Sequence, residues 1–145
     1  MKNGKWILLL IVFIFIVLRL PSLSLPLERD EGAYAYIGWE WINGNKLPYK
    51  DMFEMKPPLI HFVYGLISKG FGNTAEGIRF VSLIWSILII AAFYLIVRAY
   101  HDENSALWMT GVLAFYMADY WTQATGFNAE MLVLLPMILF LDSRF

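Results

Sequence analysis

The stretch KWILLLIVFIFIVLRLPSLSLPLERDEGAYAYI, residues 5–37, joins a long apolar run to a cluster of charged and aromatic residues. Residues 6 to 27 carry one charge, that of Arg19. An α-helix rises 1.5 Å per residue, so about 20 apolar residues cross the ~30 Å hydrocarbon core of a bilayer. We therefore predict a first membrane span at about residues 6–27.

Two lysines, Lys2 and Lys5, precede this run. Basic residues flanking a span tend to stay in the cytoplasm, which predicts a cytoplasmic N-terminus and an outer position for Glu28. A signal peptide also begins with basic residues, but this apolar run is long and no A-x-A cleavage site follows it. We interpret the segment as an uncleaved membrane anchor in the cell (plasma or inner) membrane.

The composition of the 145-residue chain supports a membrane protein. Hydrophobic residues make up 59% and charged residues 16%, whereas soluble domains have about 25% charged residues. A net charge of -1 excludes a strongly basic surface for nucleic acid. The absence of cysteine excludes disulfides and thiolate metal sites. The predicted fold class is an all-α integral membrane protein.

Further apolar runs predict further spans. We expect a second span at 78–100, a third at 104–122, and the start of a fourth at 131–145. The run after Pro57 is too short to cross and begins with Pro-Pro, which suits the first turn of a helix. We interpret 57–71 as an interfacial helix, because Arg98 then falls on the cytoplasmic side; if this segment crosses instead, Arg98 faces outward.

This topology makes residues 28–77 an outer loop with interfacial helices at 30–43 and 57–71. We expect Asp30 to cap the first helix and Gly44 to end it in a left-handed conformation. Tyr34, Ile37 and Trp41 form one apolar-aromatic stripe at helical spacing. A capped helix lying along the membrane surface explains all of these residues without any catalytic role.

Charged residues on the outer face nevertheless indicate chemistry. Lys56 precedes a helix N-terminus, where a cation opposes the helix dipole, and its position suits an anionic lipid headgroup such as a phosphate. Glu130 lies at the mouth of an apolar run, where an ionised group is costly. The ordinary alternatives are a snorkelling lysine and a helix-start acid with Asn128 as its cap.

Three motifs in this order resemble those of the GT-C glycosyltransferases. They are D-E-x-x-Y at residues 30–34, K-P-P-L at 56–59 and F-N-A-E at 127–130. The chain is most similar to bacterial relatives of protein O-mannosyltransferases, lipid A aminoarabinose transferases and polyprenyl-phosphate-dependent galacturonosyltransferases. Such enzymes are several times longer. The resemblance therefore implies that residues 1–145 form an N-terminal GT-C-like module and that the isolated chain is inactive.

The resemblance also implies roles for individual residues. These enzymes transfer a sugar from a polyprenyl-phosphate donor to an acceptor at the outer face, with inversion. Asp30 would be the general base, with the adjacent Glu31 as the alternative. Lys56 would hold the donor phosphate, and Tyr34 would line the same pocket. The acceptor would be a glycan, a lipid or a protein.

The resemblance extends less directly to three more residues, Asn128, Glu130 and Glu54. Asn128 and Glu130 would match an acidic motif of the second outer loop. Some relatives use a divalent metal there, but Asn128 replaces an acid, so we expect no metal and no other cofactor. Met55 stands where relatives often have Glu or His, and Glu54 is the nearest acid.

Membrane lipids are the other expected partners. The competing hypotheses are a non-catalytic membrane subunit and part of a transporter.

Overall fold

The computed structural model describes residues 4–119 and 126–142, and within these ranges the protein consists of helices joined by loops, without β-strands. A 3-10 turn, Leu20–Ser24, continues the first helix. The helices are α1 (Gly4–Arg19), α2 (Arg29–Asn43), α3 (Pro58–Phe71), α4 (Ala75–Tyr100), α5 (Glu103–Ala118) and α6 (Ala129–Asp142).

Among residues 4–119 and 126–142, two helical segments are long and apolar enough to cross a membrane. The first is Gly4–Ser24, of 21 residues, and the second is α4, of 26 residues. They correspond to the predicted spans at 6–27 and 78–100. The second begins earlier than expected because Thr74 caps it, its hydroxyl accepting a hydrogen bond from the Gly77 backbone N–H at 3.2 Å.

The third and fourth spans remain predictions. Helix α5 has 16 residues, about 24 Å at 1.5 Å per residue, which is shorter than the hydrocarbon core. The prediction extends this span to residue 122, and residues 120–122 lie outside the described part. Helix α6 begins at Ala129, two residues before the predicted start, and residues 143–145 lie outside the described part.

The N-terminus of α2 differs from the prediction that Asp30 caps it. The N-cap residue is Glu28, and the Glu31 carboxylate accepts a hydrogen bond from the Glu28 backbone N–H at 3.0 Å, forming a capping box. Asp30 is therefore in the first turn of the helix and exposed. Its carboxylate is free of the capping role that the sequence suggested.

The end of α2 also differs from the prediction. Gly44 has φ -96°, a right-handed conformation, and the left-handed residue is Asn45, with φ 56°. Glycine suits this position for another reason: a Cβ there would lie 2.9 Å from the Glu40 carbonyl oxygen. The Glu40 carboxylate pairs with Lys46 at 2.9 Å. The left-handed prediction was wrong by one residue, since asparagine also tolerates this conformation.

Helices α2 and α3 pack directly against each other, and two glycines lie at their closest approach. A Cβ at Gly38 would lie 2.6 Å from the Gly65 backbone N, and a Cβ at Gly65 would lie 2.5 Å from the Gly38 carbonyl oxygen. The predicted stripe faces this contact: Tyr34 and Ile37 are buried, and the Trp41 ring lies 5.7 Å from that of Phe62. The stripe thus packs on α3. Whether the pair lies along the membrane stays a prediction.

Helix α4 is central to the fold, because it contacts α1, α3, α5, α6 and the 3-10 turn. Arg19, at the end of α1, is buried and donates a hydrogen bond to the Ser82 hydroxyl of α4 at 3.1 Å. The C-terminal end of the first apolar segment therefore meets the N-terminal part of α4. The α2–α3 pair also joins the protein at this end.

Candidate functional site

The segment before α3 folds into a compact loop, residues 47–56. The Asp51 carboxylate accepts a hydrogen bond from the Leu47 backbone N–H at 2.9 Å, and the Tyr49 hydroxyl donates to the Lys56 carbonyl. The Glu54 carboxylate accepts bonds from the backbone N–H groups of Met55, at 2.7 Å, and Lys56, at 2.9 Å. Lys56 is therefore fixed at both its N–H and its carbonyl, directly before the Pro-Pro start of α3.

The Lys56 side chain lies among groups from two other segments. The Tyr34 hydroxyl, the Glu130 carboxylate and the Asp30 carboxylate all act on its ammonium group, and together they raise the pKa of Lys56, Tyr34 most strongly. Burial raises the pKa of Tyr34, and the nearby Lys56 partly opposes this. At neutral pH, Lys56 is thus protonated and Tyr34 is neutral. Four of the seven residues predicted for the site, Lys56, Tyr34, Asp30 and Glu130, thus interact around one ammonium group.

Two clefts open beside Asp30. The larger, about 400 Å³, is lined by Arg29, Asp30, Ala33, Tyr34, Phe53, Glu54, Met55 and Lys56. The smaller, about 340 Å³, is lined by Glu28, Arg29, Asp30 and Asn128. Asp30 thus lies where the Lys56 cleft meets the Asn128 cleft. An exposed carboxylate in that position can reach groups bound in either one.

Glu31, next to Asp30, has very different surroundings. It is fully buried and pairs with Arg79 of α4, with Nη2–Oε2 at 2.7 Å and Nη1–Oε1 at 2.9 Å. Arg79 also donates to the Pro26 carbonyl at 2.9 Å. A bidentate buried pair of this kind holds the carboxylate in a fixed orientation. Glu31 joins α2 to α4, and it is not among the residues that line the two clefts beside Asp30.

The segment before α6 is held by side chains of α2 and α3. The Phe127 backbone N–H donates to the Glu31 carboxylate at 2.8 Å, and its carbonyl accepts from the Tyr64 hydroxyl, also at 2.8 Å. The Phe127 ring is buried against Tyr64 and Trp85, at centroid distances of 6.0 and 6.1 Å. Phe127 thereby brings Asn128 and Glu130 to the side of the clefts.

Glu54 has a second neighbour, His61 of α3. Its carboxylate lies 3.8 Å from His61 Nε2, and the Tyr34 ring lies 5.5 Å from the imidazole. Burial lowers the pKa of His61, and Glu54 partly opposes this. Burial alone would raise the pKa of Glu54, but the backbone N–H groups of Lys56 and Met55 outweigh it, so the pKa is lowered. At neutral pH the pair is therefore a neutral imidazole beside a carboxylate.

Sequence reasoning missed several residues of this site: Tyr64, His61, Phe127 and the role of Arg79. Arg79 carried a signal, because a charged residue at the start of a span is costly unless it is paired. Phe127 opens the F-N-A-E motif, but nothing in that motif indicates that its backbone is bound by other helices. His61 and Tyr64 lie within the apolar run after Pro57, where no local pattern distinguishes them from core residues. Within the described ranges, no three His, Asp or Glu side chains gather as a metal site requires. The expectation of no metal remains a prediction.

The fold and the site together fit one class of protein. In the described part of the chain, two apolar helices are long enough to cross a membrane, and an ammonium group lies among carboxylates of α2 and α6, as in a membrane protein with a polar site. Residues 55–145 match the model of the dolichyl-phosphate-mannose-protein mannosyltransferase family. The match covers more than half of the chain.

The chain belongs to this family of GT-C membrane glycosyltransferases. The matched region contains Lys56, Asn128 and Glu130, whereas Asp30, Glu31, Tyr34 and Glu54 precede it. Comparison with curated proteins gave no match, and neither did comparison with solved structures.

Proposed function

We propose that the protein transfers a hexosyl or pentosyl group from a polyprenyl-phosphate-linked sugar to a hydroxyl of an acceptor at the outer face of the membrane, with inversion. One observation carries the proposal. Lys56, preceding α3, interacts with Tyr34 and Asp30 of α2 and with Glu130 of α6. Residues far apart in the chain thus surround one ammonium group beside an open cleft.

Lys56 supplies the phosphate anchor in this proposal. Its backbone is fixed on both sides, and its ammonium group is hydrogen-bonded to the Tyr34 hydroxyl, which restricts where the charge lies. A preorganised cation stabilises the negative charge that develops on a leaving phosphate. Two apolar side chains flank it on the same loop, Phe53 at 88% exposure and Met55 at 83%. They offer a contact for the hydrocarbon chain of a lipid-borne donor.

Asp30 is the general base. Its carboxylate accepts the proton of the acceptor hydroxyl while that oxygen bonds to the anomeric carbon. The bond between the anomeric carbon and the phosphate oxygen breaks, and its electron pair leaves with the lipid phosphate beside Lys56. A single displacement inverts the configuration. Glu31 is less suited to this role, because its carboxylate is buried and already accepts hydrogen bonds from Arg79 and Phe127.

The remaining site residues orient the reactants. Tyr34, with its hydroxyl beside Lys56, lines the donor cleft, and Glu54 holds the backbone that carries Lys56. Asn128 lines the smaller cleft, which is polar, so we assign the acceptor to that side of Asp30. Glu130 faces the Lys56 side and is available to accept hydrogen bonds from sugar hydroxyls.

Because the isolated module is expected to be inactive, the test of this proposal is transfer of labelled sugar from polyprenyl-phosphate donors in membranes that contain the protein expressed from its full reading frame. Asp30→Asn and Lys56→Ala are each expected to lower the transfer rate at least about a hundredfold, a size typical of losing a general base or a preorganised charge. The matched control for Asp30→Asn is Asp102→Asn, because Asp102 caps α5 and asparagine caps a helix as well as aspartate does. The matched control for Lys56→Ala is Lys50→Ala, at an exposed lysine. Full activity in Asp30→Asn would refute the base assignment. Absence of transfer from every donor would favour a non-catalytic membrane subunit.

A further inference from the structure

Phe127 is bound at both of its backbone polar groups by side chains of the first outer loop. Glu31 of α2 accepts its N–H at 2.8 Å, and Tyr64 of α3 donates to its carbonyl at 2.8 Å. We call this arrangement the Phe127 clamp. Backbone groups outside a helix are usually satisfied by water or by neighbouring backbone. Here one residue uses two buried side chains, which come from two different helices.

Both arms of the clamp are themselves held by further contacts. Glu31 is held by the two Arg79 hydrogen bonds and by the capping box of α2. Tyr64 is 1% exposed, and its ring packs on Tyr34 at 5.6 Å. Burial raises the pKa of Tyr64, so its hydroxyl stays a hydrogen-bond donor. A rigid carboxylate and a rigid hydroxyl thus fix the position of the Phe127 backbone.

The clamp lies directly beside two residues of the proposed site. Asn128 follows Phe127 directly, and Glu130 lies three residues after Phe127. A chain of three residues spans at most about 10 Å, so the position of Phe127 limits where the Glu130 carboxylate meets Lys56. Tyr64 also contacts Tyr34, another neighbour of Lys56. The clamp therefore joins the two parts of the protein that surround the ammonium group.

We infer that Tyr64 and Glu31 are positioning residues that hold the Phe127 backbone and thereby set the second outer segment against Lys56. The hydrogen bonds of the clamp are observed directly. Only the effect of the clamp on sugar transfer rests on the proposed function. Without it, Asn128 and Glu130 would lose their fixed distance from the donor cleft. The substrate would have to order this segment on binding.

A labelling experiment tests the clamp independently of catalysis. The chain has no cysteine, so Ala129→Cys reports the accessibility of the second outer segment to a water-soluble maleimide. Ala35→Cys, at a buried position of α2, reports the packing of the first outer loop. We expect Tyr64→Phe to raise the labelling rate at Ala129→Cys about fivefold, the value for one lost hydrogen bond, and to leave Ala35→Cys unchanged. Tyr36→Phe, at an exposed tyrosine, is the matched control.

Glu31→Gln provides the second variant, with Glu76→Gln at an exposed acid as its control. It should also raise labelling at Ala129→Cys. Because both arms hold one residue, the effects of Tyr64→Phe and Glu31→Gln should combine to less than their product. Equal increases at both reporter positions would mean that the whole outer loop has loosened, and would overturn the inference. An unchanged rate at Ala129→Cys in both variants would overturn it as well.

Transfer kinetics give the catalytic consequence. Tyr64→Phe should raise the KM for the polyprenyl-phosphate donor about tenfold and change kcat less than about threefold, because the clamp orders the site rather than reacting. A fall in kcat with an unchanged KM would contradict this role. If the unaltered protein transfers no sugar, the proposed function fails, and the labelling rates still decide whether the clamp exists.

Discussion

Replacement of Gly38 by alanine should separate α2 from α3. A Cβ at this position would lie 2.6 Å from the Gly65 backbone N and closer still to the His61 carbonyl oxygen. Both are backbone atoms, so no side chain can rotate to make room. Overpacking of this kind costs about 1–3 kcal/mol. Because the added Cβ would clash with backbone atoms of both His61 and Gly65, we expect Gly38→Ala to lie at the upper end of that range. The helix propensity of alanine returns about 1 kcal/mol, so the expected net loss is about 2 kcal/mol.

Two other glycines on the same helices provide matched controls. Gly32 of α2 and Gly70 of α3 have no atom within 4 Å of a built Cβ. Gly32→Ala and Gly70→Ala should therefore gain up to about 1 kcal/mol from helix propensity. The free energy of unfolding of the four proteins can be measured in detergent from tryptophan fluorescence. Equal stability changes in Gly38→Ala and Gly32→Ala would refute the close helix crossing.

Three further predictions concern buried polar groups and a helix cap. Arg79→Met leaves Glu31 buried without its ion-pair partner, and should lower the free energy of unfolding by about 3–5 kcal/mol; a loss under about 1 kcal/mol in the same fluorescence assay would contradict the buried pair. Burial lowers the pKa of His61, with Glu54 partly opposing. The unfolded chain therefore binds this proton at a higher pH than the folded chain does. The free energy of unfolding should fall as the pH drops below about 6.5, by at most about 1.4 kcal/mol per pH unit. His61→Phe should flatten this dependence in thermal unfolding at pH 7, 6 and 5, and an unchanged slope would assign the titration to another group. Thr74→Ala should cost about 1 kcal/mol through loss of the cap on α4, and Thr74→Ser should restore it; equal melting temperatures for all three proteins would show that the cap contributes nothing.

The two long spans were predictable because crossing a bilayer depends on length and apolar composition alone. Residues 6–27 and 78–100 satisfy that requirement locally, and the structure has helices of sufficient length at both places. The grouping of Asp30, Tyr34, Lys56 and Glu130 could also be anticipated. Both polar segments were assigned to one membrane face by charge, and the motifs that carry the family resemblance fall on these residues.

The different fates of Asp30 and Glu31 could not be read from their adjacency. Successive residues on a helix point about 100° apart, so one carboxylate lies at the clefts while the next is buried against Arg79. Which one faces inward depends on how α2 is rotated against α3 and α4. That rotation is set by contacts between distant residues, such as Gly38 with Gly65, and no local pattern encodes them.

The Phe127 clamp was hidden for a similar reason. Its hydrogen bonds use the backbone of Phe127, which has no signature in the sequence, and its partner Tyr64 lies 63 residues away. The cap of α2 was misplaced because Glu28 and Asp30 are both plausible near a helix start. In the structure Glu28 is the N-cap, and the Glu31 carboxylate that completes this capping box also accepts the hydrogen bond from Phe127.

The most direct test of the account is the binding of a labelled polyprenyl phosphate to the purified protein in lipid nanodiscs. It separates the phosphate anchor from the later chemistry. Lys56→Ala should weaken binding at least about tenfold, as for the loss of a charge-assisted contact. Asp30→Asn should bind as tightly as the unaltered protein or more tightly, since a negative charge near the phosphate has gone. Equal affinities for the unaltered protein and Lys56→Ala would contradict the assignment of the donor site.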